Sequence, residues 1–418
     1  MKKILKITLY SLPGIILLAF IITYISYSTY WPKDEEVQVD SSNLVYFHDT
    51  YNACRNAFIQ GIAKNCVSFD SVKTGKIYIP GKTDHGLSID WCYIPAQKSK
   101  EKLLILNSGL HGIEGYTGSA IQNMFLERIL KQQLPENMGV LILHGLNPYG
   151  FKYHRKVTEN NVDLNRNCVR GEQMFDIKNE GYGELTDLLM PAKAVNLKNL
   201  RNRFFYLIAI YKIIRKSMPV LRQAALQGQY DYNRGIYYGG KIFEPQIDSL
   251  KPLLIDKIRQ YKMVLNVDLH TGYGKRGKMH LFIDKPEDAA VFNGVEAIFK
   301  GADIDWGSSD DFYTINGEYI VWADNLVPDV LCIPMLFEFG TLNSQETFGS
   351  LKSIQIMIVE NQGAHYGYRN AKNEEKVKHL FDEMYYPSSP AWRSKVISDA
   401  YDKMNLMMKN YKSFEIKE

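Results

Sequence analysis

Ser108-Gly109-Leu110-His111-Gly112-Ile113-Glu114-Gly115 follows directly on the apolar run Lys102-Leu103-Leu104-Ile105-Leu106. A histidine and a glutamate three positions apart at the end of a strand offer two metal-ligating side chains on one short turn. Gly109, Gly112 and Gly115 bracket them, as expected where the backbone turns sharply and leaves room beside a bound ion. A catalytic zinc site takes three protein ligands from His, Glu, Asp or Cys and keeps one position open, so a third ligand is expected elsewhere. His270, at the close of another apolar run, supplies it.

Working outward, apolar runs of strand length recur at 102–107, 139–144, 262–270, 280–284 and 330–339, with helical periodicity between several of them and a clear helix over 117–132. Strand, helix, strand predicts an α/β fold with a mixed, largely parallel twisted sheet flanked by helices. The polar residues cluster just past strand ends, where ligands bind in open α/β sheets: His111 and Glu114 after the first run, His270 closing the third, Glu338 near the close of the last.

The 418 residues carry a formal charge of +4, of which Lys2, Lys3 and Lys6 at the N-terminus make up three, so the remainder gives no nucleic-acid signature. After those lysines, residues 7–31 are uncharged and long enough to cross a hydrocarbon core of about 30 Å. The acidic Asp34-Glu35-Glu36 follows. The pattern predicts an N-terminal membrane anchor over 1–32, cytoplasmic at its start, a juxtamembrane stem over 33–44, and one domain over 45–418 outside the cytoplasm, periplasmic or extracellular. A basic helical insertion spans about 188–230, with eight Lys and Arg, no acidic residue and an apolar centre at 204–211. It reads as an inserted hairpin packed on the domain or as a helix lying on an anionic membrane surface. Of the five cysteines, Cys54 and Cys66 could pair in an oxidising compartment, whereas Cys92 and Cys332 lie in apolar runs and read as buried hydrophobes; none has zinc-cluster spacing.

The order and spacing of HGIEG at 111–115, Asn147-Pro148-Tyr149-Gly150, Arg155, Asp163-Leu164-Asn165-Arg166-Asn167, Asp268-Leu269-His270-Thr271-Gly272 and Phe337-Glu338-Phe339-Gly340-Thr341 resemble the zinc carboxypeptidase A-like superfamily. That superfamily includes the succinylglutamate desuccinylase and aspartoacylase type of deacylase, and the resemblance covers about residues 45–370. It implies zinc as cofactor, held by His111, Glu114 and His270. It implies Glu338 as general base, Arg155 as the donor that stabilises the oxyanion, and Asn165 and Arg166 as the pair that binds a substrate carboxylate. Asp268, on the same strand face as His270, could orient its imidazole or stand as an unrelated strand-end carboxylate. Asp163 could brace Arg155 or Arg166, or cap a turn. Tyr313 and Tyr319 are the candidates for the superfamily's mobile tyrosine, and His144 is the rival metal ligand. The expected activity is hydrolysis of an amide bond next to a free carboxylate, as a metallocarboxypeptidase acting on a peptide. The alternatives are an amidohydrolase acting on N-acyl amino acids and a non-catalytic carboxylate-binding protein.

Overall fold

Leu103, Leu104, Ile105 and Leu106 are all without solvent exposure, so this run is covered on both faces and belongs at the centre of a sheet. Burying each such side chain stabilises the fold by roughly 1.5–3 kcal/mol. The structure, a computed structural model, describes residues 17–307 and 315–415. Its eight strands are β1 (Lys73–Tyr78), β2 (Ser88–Ile94), β3 (Lys102–Ser108), β4 (Met138–His144), β5 (Met263–Gly272), β6 (Met279–Ile283), β7 (Ile304–Trp306) and β8 (Leu331–Gly340). They form one mixed sheet in the order β1-β2-β4-β3-β5-β8-β6-β7. The four central strands, β4, β3, β5 and β8, run parallel, and antiparallel pairings attach β2 to β4 and β6 to β8.

The five predicted strands are all present within one or two residues of their expected ends. The strands β1, β2 and β7 were not anticipated. In β1 the sequence KTGKIY is polar and largely exposed, an edge strand that buries too little to leave an apolar signature. Helices cover both faces. Tyr51–Asn65, Gly115–Met124 and the long C-terminal helix Pro390–Ser413 pack their apolar residues with one face of the central strands. Pro245–Ile258 and Tyr319–Asp324 cover the other. The C-terminal helix lies beyond the span of the resemblance yet is integral: Tyr411 donates its hydroxyl to Leu103 O at 3.2 Å, and Lys102 donates to Tyr411 O at 3.0 Å.

Under the sheet a polar chain crosses the core. Tyr319 donates to Asn107, Asn107 to Asn266, and Asn266 to Asp324 Oδ1 at 2.8 Å. Burial raises the Asp324 carboxyl to about 7, against the lowering effect of the Asn266 amide. A carboxyl raised on folding adds stability in full below its unfolded value near 4, and that contribution is lost as pH rises to about 7. Thermal midpoints at pH 5 and pH 8, at constant metal content, are expected to fall more for the native chain than for Asp324→Asn. Equal falls would show that this carboxyl is not linked to folding.

The predicted anchor has no complete counterpart among the described residues. Residues 17–28 are helical, but twelve residues rise only about 18 Å, short of a bilayer core. Among the described residues no helix is long and apolar enough to cross a membrane, and residues 1–16, the remainder of the prediction, lie outside them. Helix 17–28 rests on the basic insertion: Tyr24 packs on Phe204 at 5.5 Å and Tyr27 stacks on Tyr206 at 4.8 Å. The predicted stem is docked rather than free, with Asp34 paired to Arg276 at 2.6 Å and Asn43 bonded to Ser394 O at 3.0 Å. All five cysteines are free and buried.

Candidate metal centre and active site

The sheet order explains why distant residues meet. β3, β5 and β8 are neighbours running the same way, so the turn after β3 and the carboxyl ends of β5 and β8 lie side by side. His270 and Glu338 are register partners across β5 and β8. The turn after β3 is tight. Gly109 adopts φ +69, and a side chain on Gly112 would meet the backbone of Gly150 at 2.1 Å. Gly112 and Ile113 donate their N–H groups to Lys156 O and Arg155 O at 3.1 and 3.0 Å, which ties this turn to the 155–156 segment.

Glu114 is 2% exposed and sits between two imidazoles, with His111 Nδ1 2.8 Å from Oε1 and His270 Nδ1 2.9 Å from Oε2. Each imidazole turns its other nitrogen to a buried aspartate: His111 Nε2 lies 3.2 Å from Asp163 and His270 Nε2 lies 2.8 Å from Asp268. Carboxylates on the outer nitrogens orient the rings and direct Nδ1 inward. Ligand atoms of His111, Glu114 and His270 all lie within 4.8 Å of one another, so two nitrogens and a carboxylate oxygen converge as a divalent cation requires, and the donor set suits zinc. The charges agree. Burial opposes ionisation of Glu114, yet the two histidines hold its carboxyl well below the ordinary range. Burial likewise opposes protonation of His270, but Asp268 and Glu114 raise it well above its usual value.

Beside this triad lies a cavity of about 340 Å³, lined among others by Lys156, Asn165, Arg166, Tyr237, Tyr273 and Glu338. Burial raises the Glu338 carboxyl to about 8, and the backbone N–H of Tyr273 donates to its Oε1 at 2.8 Å. Asn165 is held by its oxygen, which accepts from the backbone N–H of Tyr319 at 2.9 Å. Arg166 donates to Asn165 O at 2.9 Å and to Leu226 O at 3.1 Å, with its guanidinium 5.1 Å from the Tyr237 ring. Among the described residues no carboxylate comes within ion-pair distance of it.

The family description "Protein of unknown function (DUF2817)" matches residues 47–399. The chain belongs to that family. No curated protein matches it. Similar solved structures include carboxypeptidase A from Helicoverpa armigera, at 15% identity and a TM-score of 0.40 over 76% of this chain and 74% of that one. Bovine thrombin-activatable fibrinolysis inhibitor shows 14% identity and a TM-score of 0.41 over 76% and 97%. An aspartoacylase family protein from Mesorhizobium loti shows 15% identity and a TM-score of 0.34 over 71% and 67%.

Of the residues singled out in sequence, His111, Glu114, His270, Glu338, Asn165 and Arg166 all line the cavity of this DUF2817 chain. Arg155 does not. Its guanidinium pairs with Glu360, 2.8 Å from Nε, with Asn161 and Asn361 alongside. Its neighbour Lys156 reaches the cavity instead, and a lysine beside an arginine carries no distinguishing local signal in the sequence. Lys156 Nζ pairs with Asp163 Oδ2 at 3.3 Å. Asp163 braces neither Arg155 nor Arg166: it caps the turn at Asn165 N and supports His111. Tyr319 is buried with its hydroxyl on Asn107, away from the cavity, and Tyr313 lies outside the described residues. Tyr237 and Tyr385 line the cavity instead, brought there by contacts no local pattern announces. His144 is no rival ligand: it bonds Ser119, stacks on Phe58 at 4.6 Å and is held neutral by burial, down to about 3.

The Arg155–Glu360 pair has side chains 13% and 12% exposed. Glu360→Gln leaves the guanidinium without its countercharge and is expected to cost about 3 kcal/mol in urea unfolding. A cost near zero would mean that Arg155 is not held there.

Proposed function

We propose that this protein is a zinc-dependent hydrolase that cleaves an amide bond next to a free carboxylate, acting as a carboxypeptidase. The observation that carries the reading is the convergence of His111, Glu114 and His270 beside a cavity lined by Arg166, which has no carboxylate in ion-pair reach among the described residues. His111, Glu114 and His270 would hold the metal. Zinc, when bound, supplies Lewis acidity to the scissile carbonyl and to the attacking water.

The remaining work falls to the chain. Arg166, with Asn165, offers a planar cation to a terminal carboxylate and so sets which bond lies at the reacting centre. Glu338, held by the Tyr273 N–H through one oxygen, takes the proton from the attacking water and returns it to the leaving nitrogen. Lys156 is the cavity cation fixed beside the triad and is suited to the charge that develops on the carbonyl oxygen. The test is the full chain loaded with zinc, assayed by mass spectrometry against peptides and N-acyl amino acids. Release of carboxy-terminal residues supports the peptidase, release of acyl groups alone replaces it with the deacylase, and turnover of neither sinks the hydrolase.

We further propose that the N-terminal segment anchors the protein in a membrane with the domain outside the cytoplasm. The uncharged run over 7–31 supports it, as do Leu17, Leu18, Phe20, Ile21, Ile22 and Ile25, all exposed on helix 17–28. The insertion adds exposed Tyr211 and Ile214 among basic residues, a composition suited to an anionic lipid surface. Carbonate extraction is expected to leave the full chain in the membrane pellet, whereas a chain lacking residues 1–31 is released. Full extraction of the complete chain would refute the anchor.

A further inference from the structure

Arg166 lines the cavity with no carboxylate in ion-pair reach among the described residues. Glu318 lines it too, and it precedes the helix Tyr319–Asp324 but does not cap it through its side chain. Among the described residues neither a hydrogen bond nor an ion pair reaches its carboxylate, and it lines the same cavity as Arg166.

The two are built side by side. The N–H of Tyr319, the next residue, bonds the side chain of Asn165, and Cys168 N donates to Gly317 O at 3.1 Å. Gly317, at φ +77, packs so closely on Arg166 that a side chain there would meet Arg166 O at 2.3 Å. The guanidinium is nevertheless committed to Leu226 O and Asn165 O rather than to Glu318. A cation and an anion facing one cavity without pairing are costly unless a ligand bridges them. Burial pushes the Glu318 carboxyl up to about 7, with Asp284 also raising it and Arg166 opposing. Asp284 lies exposed at the mouth of the cavity, and Phe282, Leu336 and Ile354 supply apolar lining.

We propose that the cavity takes a zwitterionic residue, its carboxylate on Arg166 and Asn165 and its ammonium or guanidinium on Glu318, with Asp284 adding negative charge at the entrance. This rests on the carboxypeptidase reading and narrows its substrates to those ending in a basic residue, whose methylene stem suits the apolar lining.

The experiment compares peptides ending in lysine and in norleucine, which differ chiefly in the ammonium, with the full zinc-loaded chain. The lysine peptide is expected to have a kcat/KM higher by about 10- to 100-fold, from a charge-assisted hydrogen bond. Glu318→Gln should bring the ratio close to one, and Glu318→Lys should invert the preference toward peptides ending in glutamate. A native ratio near or below one, or a ratio unchanged by Glu318→Gln, overturns the proposal. Calorimetric binding of free L-lysine and L-norleucine to the native chain gives a readout independent of turnover and of variant folding. Tighter binding of lysine supports the subsite, and equal or weaker binding refutes it. Lysine preference without hydrolysis of any amide would end the hydrolase reading and leave the subsite standing; hydrolysis without lysine preference would do the reverse.

Discussion

Glu338→Gln is expected to lower kcat by about 10²–10⁴ while zinc content and folding stay at native levels. The substitution keeps the shape of the side chain and an oxygen for the Tyr273 N–H, but removes the basicity that proton transfer needs. The environment makes this carboxylate suited to the task. It stands in β8 opposite His270, between Phe337 and Phe339, and burial raises it to about 8. A carboxylate with one oxygen fixed by a backbone N–H keeps the other free to accept and return a proton. Measurement of kcat together with metal analysis decides the matter: near-native turnover by Glu338→Gln would rule out the assigned base.

His270→Ala should act differently. Removal of one of three ligands is expected to take zinc from roughly one per chain to a trace, and activity with it. It also strips Glu114 and Asp268 of the imidazole that both contact, leaving two buried carboxylates without that partner. Stability should therefore fall, and the rise in thermal midpoint that added zinc produces in the native chain should disappear. His111→Ala is expected to behave alike, with Glu114 and Asp163 each losing that imidazole. Full zinc retention by His270→Ala would show that the metal, if bound, lies elsewhere.

Much of this site could be read in the chain because its elements are local. The HGIEG turn announces itself by glycines that only a close backbone approach requires, and the structure shows that approach at Gly112 and Gly150. Strands covered on both faces, such as β3, leave unbroken apolar runs. Strands that bury little, such as β1, leave no such trace.

Other features depend on partners far away in the chain. Whether Arg155 or Lys156 enters the cavity is decided by Glu360, some two hundred residues on, which captures the guanidinium. Glu318 carries no motif and becomes conspicuous only because Asn165 and Gly317 hold it beside Arg166 in a space where it has no partner among the described residues.

The amino-acid sequence by itself determined the α/β class and five of the eight described strands through periodicity, and pointed to His111, Glu114, His270 and Glu338 through the order of motifs that the superfamily resemblance carries. The tertiary structure alone decided which cations face the cavity, that Asp163 serves His111, and that Glu318 and Arg166 line one cavity without forming an ion pair with each other. Orientation and electrostatic compensation are set by contacts between segments that only the closed sheet brings together.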